Sequence, residues 1–108
     1  MKDSIKDTDV VVRLCGVSGI DIKDDDLENG RLNQWSVYVG PNENTARSYA
    51  RAAKLSYVAC ALNTAKNIMD KQGQLLKDDK PIYKGHYILN NLRKEDAKNL
   101  FSRVINPV

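Results

Sequence analysis

Three basic side chains, Arg47, Arg51 and Lys54, are spaced four and three residues apart. On an α-helix this spacing places them on one face, because residues three and four positions apart are neighbours on the helix surface. A stripe of positive charge suits contacts with phosphate groups, which position a protein on DNA without reading its sequence. We therefore predict that these three residues bind the DNA backbone.

The helix that carries this basic stripe cannot continue unchanged beyond Ser56. At about 100° per residue, the apolar residues Val58 and Met69 would fall on the basic face. Two helices with a turn between them remove this conflict, and we predict one over about 45–54 and a second over about 57–71. Two short helices joined by a tight turn are typical of a helix-turn-helix, whose second helix enters the major groove of DNA.

The outer face of the predicted second helix carries polar side chains suited to reading bases. An Asn side chain pairs with adenine in the major groove, and a Lys side chain reaches guanine or phosphate. Asn63, Lys66 and Asn67 are therefore the predicted base-reading residues. The alternative is an ordinary helical hairpin that covers a small sheet, on which exposed Asn and Lys have no special role.

Two segments resemble the nuclease-associated modular DNA-binding domains, small helix-turn-helix modules that are appended to homing endonucleases and other phage proteins. Ala52-Ala53-Lys54 matches the end of the family's first helix. Tyr83-Lys84-Gly85-His86-Tyr87 matches the short strand that closes the module. The similarity covers about residues 36–89, which we take as the candidate DNA-binding module.

The resemblance implies further contacts with double-stranded DNA. Ser56 and Tyr57 would lie near the groove, and Lys84 and His86 close to the backbone. Because no nuclease motif accompanies the module, the implied function is that of a phage or mobile-element transcriptional regulator, such as a repressor. A small interaction or inhibitor protein that binds a host or rival factor is the alternative.

In that alternative, the partner would be contacted by the acidic half of the chain or by exposed aromatic residues. Residues 1–43 carry five Lys/Arg and nine Asp/Glu, a net charge of −4, whereas residues 44–108 carry a net charge of +7. The candidate aromatic residues are Trp35, Tyr38 and Tyr49. The basic half, by contrast, favours a nucleic-acid partner.

Catalytic chemistry has few components in this sequence. His86 is the only histidine, and the chain contains no glycine-rich phosphate loop, HExxH or CxxC motif. The acidic run at 24–26 lacks the ligand spacing of an EF-hand and is predicted to be a solvated loop. Cys15 and Cys60 are predicted to be reduced, buried thiols. We expect no enzyme activity, no catalytic residue, no metal and no cofactor.

The expected fold is a single α+β domain over residues 1–108, with residues 1–8 flexible. It contains a small antiparallel sheet, a helix-turn-helix and a C-terminal helix. The β-branched run and the alternating pattern of apolar residues predict strands over 10–15, 34–39 and 82–89, and helical spacing predicts the last helix over about 93–105. For 10–15, a short helix after Thr8 or Asp9 is the alternative.

The C-terminal helix is also the candidate contact for a homodimer, since helix-turn-helix proteins often dimerise. Leu100, Phe101 and Val104 would form this two-fold contact; the alternative is that they pack on the domain's own core. No apolar run is long enough to cross a membrane. The N-terminal residues lack an apolar segment of the kind found in secretory signals, so we expect a cytoplasmic protein.

Overall fold

The structure, a computed structural model, describes residues 5–53, 56–78 and 83–108. The described chain has an α+β fold, as predicted, in which an antiparallel six-stranded sheet carries helices on both faces. The strands are β1 Val10–Cys15, β2 Leu27–Glu28, β3 Arg31–Leu32, β4 Trp35–Gly40, β5 Ala59–Thr64, β6 Gln74–Lys77, β7 His86–Asn90 and β8 Val104–Ile105. The helices are α1 Glu43–Ala53, α2 Ala65–Asp70 and α3 Lys94–Leu100.

The sheet has the strand order β6-β7-β4-β1-β5-β8, with β1 near its centre. Val12 of β1 lies opposite Tyr38 of β4 on one side and Leu62 of β5 on the other. The predicted strands at 10–15 and 34–39 are therefore confirmed. β2 and β3 form a separate hairpin whose turn is Asn29-Gly30; both residues have positive φ, 56° and 79°, as a two-residue hairpin turn requires.

One face of the sheet is covered by α2 and α3. Ala65 and Ile68 of α2 and Ala97 of α3 are fully buried against it. The largest side chains in this layer are Trp35 and Phe101, whose rings meet edge to face with centroids 5.6 Å apart. This aromatic pair anchors the C-terminal part of the chain to the start of β4.

The other face is covered by α1, which presents a row of buried alanines, Ala46, Ala50 and Ala53. Their small side chains let the helix approach the sheet closely, and at Gly40 a Cβ atom would lie 2.7 Å from the backbone N of Ala46. The helix begins at an Asn42 cap, whose side-chain oxygen accepts a hydrogen bond of 2.8 Å from the backbone N–H of Thr45.

The predicted second helix over 57–71 is wrong, and with it the helix-turn-helix. Residues 59–64 form β5, which is hydrogen-bonded between β1 and β8. Only residues 65–70 are helical, after Thr64 caps α2 by accepting a bond from the N–H of Asn67. Most of β5 is buried, with apolar residues facing both layers. A strand that is buried on both faces lacks the polar/apolar alternation of a half-exposed strand. Its run of apolar residues therefore cannot be distinguished by periodicity from that of a buried helix.

The C-terminal helix exists but ends five residues earlier than predicted, at Leu100 instead of Ile105. The chain then turns so that Val104–Ile105 pairs with β5. Phe101 is 1% exposed in the core. The prediction that it forms a two-fold contact is therefore wrong, because its ring is already packed against Trp35 of the same domain.

The predicted strand over 82–89 is displaced toward the C-terminus. It begins at His86 and ends at Asn90, after a turn at 83–85 in which Gly85 has φ +77°. Residue 82 lies outside the described residues. Both cysteines are free and buried, as predicted. Cys15 and Cys60 belong to different layers of the core, since they lie on opposite faces of the sheet.

Candidate functional site

Two of the three residues predicted to bind phosphate, Arg47 and Arg51, lie on one flank of α1 and contact other residues of the domain. Arg47 Nη1 lies 3.7 Å from Glu43 Oε2, and its buried Nε has no hydrogen-bond partner among the described residues. Arg51 Nη1 donates a hydrogen bond of 3.0 Å to the backbone oxygen of Val108. Lys54 lies outside the described residues.

The predicted base-reading residues join β5, α2 and α3. Asn63 Nδ2 donates to the backbone oxygen of Leu100 at 2.8 Å. Asn63 Oδ1 accepts bonds from Thr64 N at 2.7 Å and from Asn67 Nδ2 at 2.8 Å. Lys66 forms an exposed ion pair of 2.9 Å with Asp70, and the hydrogen bond to this carboxylate raises the pKa of Lys66. These contacts give Asn63 and Asn67 a structural role.

The remaining predicted residues lie elsewhere on the molecule. Ser56 and Tyr57 are exposed in the segment that leads into β5. Lys84 Nζ lies 5.6 Å from the centre of the Tyr49 ring. His86 Nδ1 is 2.7 Å from an Asp78 carboxylate oxygen. The structure thus places Arg47 and Arg51 on α1 and the base-reading candidates at β5 and α2, on opposite sides of the sheet.

A different cluster, which the sequence reasoning missed, lies where β1 and β4 stop pairing. A cleft of about 250 Å³ opens there on the α1 side of the sheet, and we call it the tyrosine cleft. Its lining residues are Arg13, Leu14, Ser36, Tyr38, Ala53, Tyr57 and Tyr83. A wider cleft of about 500 Å³ adjoins it and shares Arg13, Leu14 and Tyr57.

Arg13 is held between the two clefts by contacts that the strand geometry provides. The paired residues of β1 and β4 end at Val12 and Tyr38. Beyond this pair, Arg13 Nη1 donates a hydrogen bond of 2.9 Å to the backbone oxygen of Ser36. The guanidinium carbon also lies 4.2 Å from the centre of the Trp35 ring, a cation–π contact. The buried Trp35 thus forms a rigid support for a half-buried positive charge.

Burial determines the electrostatics of the tyrosine cleft. It lowers the pKa of Arg13, an effect opposed by the charge of Asp26, and the guanidinium remains charged at neutral pH. Burial also raises the pKa of Tyr38, with a further contribution from Tyr83. Tyr38 is therefore a protonated phenol at neutral pH and can donate a hydrogen bond into the cleft.

Three exposed apolar side chains lie at the end of the sheet where the tyrosine cleft opens. Among the described residues, four large hydrophobic side chains are exposed: Val17 (61%), Tyr57 (44%), Val58 (49%) and Leu76 (51%). Because Cys15 pairs with Ala59, the chain that carries Val17 and the chain that carries Tyr57 and Val58 leave the sheet at the same end. We call Val17, Tyr57 and Val58, together with the tyrosine cleft, the tyrosine surface.

The sequence contains one signal for this site. Arg13 is the only charged residue in the run Val10–Cys15. A charge within a strand that is otherwise apolar must be paired, stacked or placed at a functional surface. The partners of Arg13 come from β4, and other residues that line the cleft come from segments near 57 and 83, so the sequence pattern of β1 alone could not identify them.

The fold and this surface define a small α+β domain with an aromatic cleft at one end of its sheet. No protein family matches the chain, and no significant match was found among curated proteins or solved structures. In the described part of the chain, no helix has the length and apolar character needed to span a membrane.

Proposed function

We propose that this protein is a protein-binding module that contacts its partner through the tyrosine surface. The observation that carries the proposal is the grouping of exposed apolar residues: Val17, Tyr57 and Val58 lie at one end of the sheet, beside a cleft lined by tyrosines and Arg13. An isolated exposed apolar residue is normal, but several at one end of a sheet, next to a cleft, are typical of an interaction site.

The composition of the surface supports a protein partner. Tyr and Arg are enriched in protein–protein interfaces and among the residues that contribute most of the binding free energy, whereas Lys and Glu are depleted. Among the described residues, the tyrosine cleft is lined by three tyrosines and one arginine and by no Lys, Asp or Glu. The partner would therefore bury aromatic rings whose hydroxyl groups remain able to form hydrogen bonds.

The size of the tyrosine cleft also favours this proposal. Pockets that enclose small-molecule ligands usually measure about 300–1,000 Å³, and this cleft, at about 250 Å³, is below that range. A volume of this size accommodates one side chain of a partner better than it accommodates a free cofactor. Trp35 supports Arg13 in this cleft through the cation–π contact between its ring and the guanidinium.

The test compares two charged substitutions at equally exposed apolar positions. Val58→Glu places a charge in the tyrosine surface, whereas Leu76→Glu places the same charge on β6, the strand at one edge of the sheet. Tagged wild-type protein and both variants are immobilised and exposed to a lysate of the cells that express the protein. Retained proteins are identified by mass spectrometry, and each candidate is then purified and its affinity measured.

The proposal requires a partner that binds wild type and Leu76→Glu directly and loses at least about tenfold in affinity, near 1.4 kcal/mol, with Val58→Glu. If every retained protein binds both variants equally, the tyrosine surface is not the binding site. Circular dichroism of both variants verifies that neither substitution changes the fold.

DNA binding is the second candidate function, and one observation favours it. Arg47 and Arg103 both lie within ion-pair distance of Glu43, and Arg51 continues along the same helix. Two guanidinium groups thus share one carboxylate and a third, that of Arg51, bonds to a neutral backbone oxygen, so this flank of α1 has a net positive charge that could contact phosphate.

Fluorescence anisotropy with random duplex DNA at about 50 and 200 mM salt tests this candidate, because phosphate contacts weaken steeply as salt rises. Arg51→Ala should reduce both the affinity and the salt dependence, whereas Lys98→Ala on α3 should change neither. Absence of binding at both salt concentrations would contradict DNA binding.

A further inference from the structure

The positive charge of Arg13 is not balanced by an ion pair. Its one hydrogen bond goes to the neutral backbone oxygen of Ser36. Within the described ranges, no carboxylate oxygen lies within ion-pair distance of its guanidinium. A guanidinium has more N–H donors than this one bond uses. Arg13 therefore enters the tyrosine cleft with donors available for a ligand.

The rest of the tyrosine cleft is suited to an anion of low charge. Its three tyrosines supply hydroxyl groups and apolar ring faces, and none of the acidic side chains that the structure describes lines it. The adjoining cleft contains Lys23 but also Asp21 and Asp26, so its added charges favour neither a strongly charged anion nor a cation. One guanidinium balances one negative charge.

We propose that the tyrosine cleft binds a carboxylate group of the protein partner, from an Asp or Glu side chain or from a chain end, through Arg13. This inference rests on the proposed function, because it assigns the chemical group that the tyrosine surface recognises. A planar carboxylate matches the fork of N–H donors on a guanidinium. The surrounding phenol hydroxyl groups would donate hydrogen bonds to it.

Burial makes such an anion more favourable at this position. It lowers the pKa of Arg13 because the charged form has lost part of its hydration. A bound carboxylate would replace that lost hydration with a charge-assisted hydrogen bond, which is stronger than a neutral one. Aromatic rings on the sides of the cleft would limit the access of water to this bond.

The experiment uses small probes and the intact protein with ¹³C-labelled tyrosine. The probes are 4-hydroxyphenylacetate, its neutral amide 4-hydroxyphenylacetamide, and inorganic phosphate, each titrated while the Tyr38, Tyr57 and Tyr83 signals are recorded by NMR. We expect the carboxylate to shift these signals with a Kd on the order of 1 mM. The amide should bind at least about tenfold more weakly, and phosphate should leave the signals unchanged.

Two variants connect the binding to Arg13. Arg13→Lys keeps the charge but loses the planar fork, so carboxylate affinity should fall several-fold while the fold is kept. Arg13→Met removes the charge and should abolish the preference for the carboxylate over the amide. If Arg13→Met does not fold, the Arg13→Lys result decides: unchanged affinity would overturn the proposal.

The other outcomes are equally decisive. Equal binding of acid and amide would show that the cleft recognises the ring alone, and binding of phosphate in place of the carboxylate would show a different anion site; either overturns this inference. If the probes fail but a partner is lost with Val58→Glu, the proposed protein-binding function stands and only the carboxylate assignment falls. If the carboxylate binds but no partner depends on Val58, the proposed protein-binding function fails, and only the binding of a free carboxylate by Arg13 stands.

Discussion

Replacement of Asn63 by alanine distinguishes a structural role for this residue from the base-reading role predicted by the sequence. The structure gives its side chain three hydrogen bonds, to Leu100 O, Thr64 N and Asn67 Nδ2. The side chain is partly buried, so water only partly replaces these bonds after truncation. A hydrogen bond contributes about 0.5–1.5 kcal/mol net. Asn63→Ala should therefore lower the free energy of unfolding by about 2–3 kcal/mol.

Asn67→Ala is the matched control for this prediction. It removes only the exposed bond between the Asn67 and Asn63 side chains, so the expected loss is about 0.5 kcal/mol. Both variants are unfolded in urea while the fluorescence of Trp35 is recorded. Trp35 is the only tryptophan, and its ring contacts Phe101, the residue after Leu100. It therefore reports directly on the region that Asn63 holds.

For a domain of this size, the expected destabilisation corresponds to a fall in Tm of roughly 10–20 °C for Asn63→Ala. A loss below about 0.5 kcal/mol, or one equal to that of Asn67→Ala, would refute the reasoning. It would mean that solvent satisfies Leu100 O and Thr64 N. A folded Asn63→Ala variant with normal stability and altered DNA sequence preference would instead support the base-reading role.

Three further predictions concern backbone conformation and titration. Gly85→Ala should lower the free energy of unfolding in urea by about 1–3 kcal/mol more than Gly30→Ala does. Both glycines have positive φ, but only at Gly85 would the new Cβ lie within 3 Å of the Tyr49 ring. Equal losses of unfolding free energy in the two variants would exclude this clash. Burial raises the pKa of the Cys60 thiol, so the stability that this thiol contributes is complete below about pH 8.5 and is lost as pH rises above that value. Cys60→Ala should therefore flatten the fall of the unfolding free energy with rising pH. An unchanged slope of unfolding free energy against pH would contradict this prediction. Burial likewise raises the pKa of Tyr38, so Tyr38→Phe should flatten the fall of the unfolding free energy above about pH 10. If the variant and the wild type have the same unfolding free energy profile against pH, this phenol does not contribute to the fall.

The parts of the fold that could be predicted are those in which one short segment contains the whole signal. The alternation at 34–39 specifies a strand without reference to the rest of the chain, and the β-branched run at 10–15 favours a strand over the alternative of a short helix. Asn29-Gly30 specifies its turn in the same way, since both residues tolerate positive φ. In the first helix, Ala46, Ala50 and Ala53 recur at helical spacing and form its buried face.

β5 could not be predicted because its conformation depends on distant residues. Ala59, Ala61 and Leu62 have good helix propensity, and nothing within the segment opposes a helix. The structure places this segment between β1 and β8, where its backbone N–H and C=O groups complete two ladders. Burial on both sides then outweighs the local preference for a helix.

The tyrosine cleft could not be predicted from the sequence for a related reason. Arg13 belongs to β1 and Ser36 to β4, whereas Tyr57 and Tyr83 precede β5 and β7. These four segments become neighbours only through the strand order of the sheet. Tyr57 was identified from the sequence, but as a residue beside the DNA groove; its position next to Arg13 follows from the pairing of β1 with β5.

The two segments that carry the resemblance to DNA-binding modules meet at this same cleft. Ala53 at the end of α1 and Tyr83 before β7 both line it. The local sequence of these two segments therefore indicates the end of a helix and the approach to a strand, which are features that many folds share. In a helix-turn-helix the residues after Ala53 would lead directly into a second helix, whereas here Tyr57 leads into a strand whose first residue, Ala59, pairs with Cys15. What separates the two folds is thus this pairing of residues far apart in sequence, and the same pairing places Tyr57 beside Arg13.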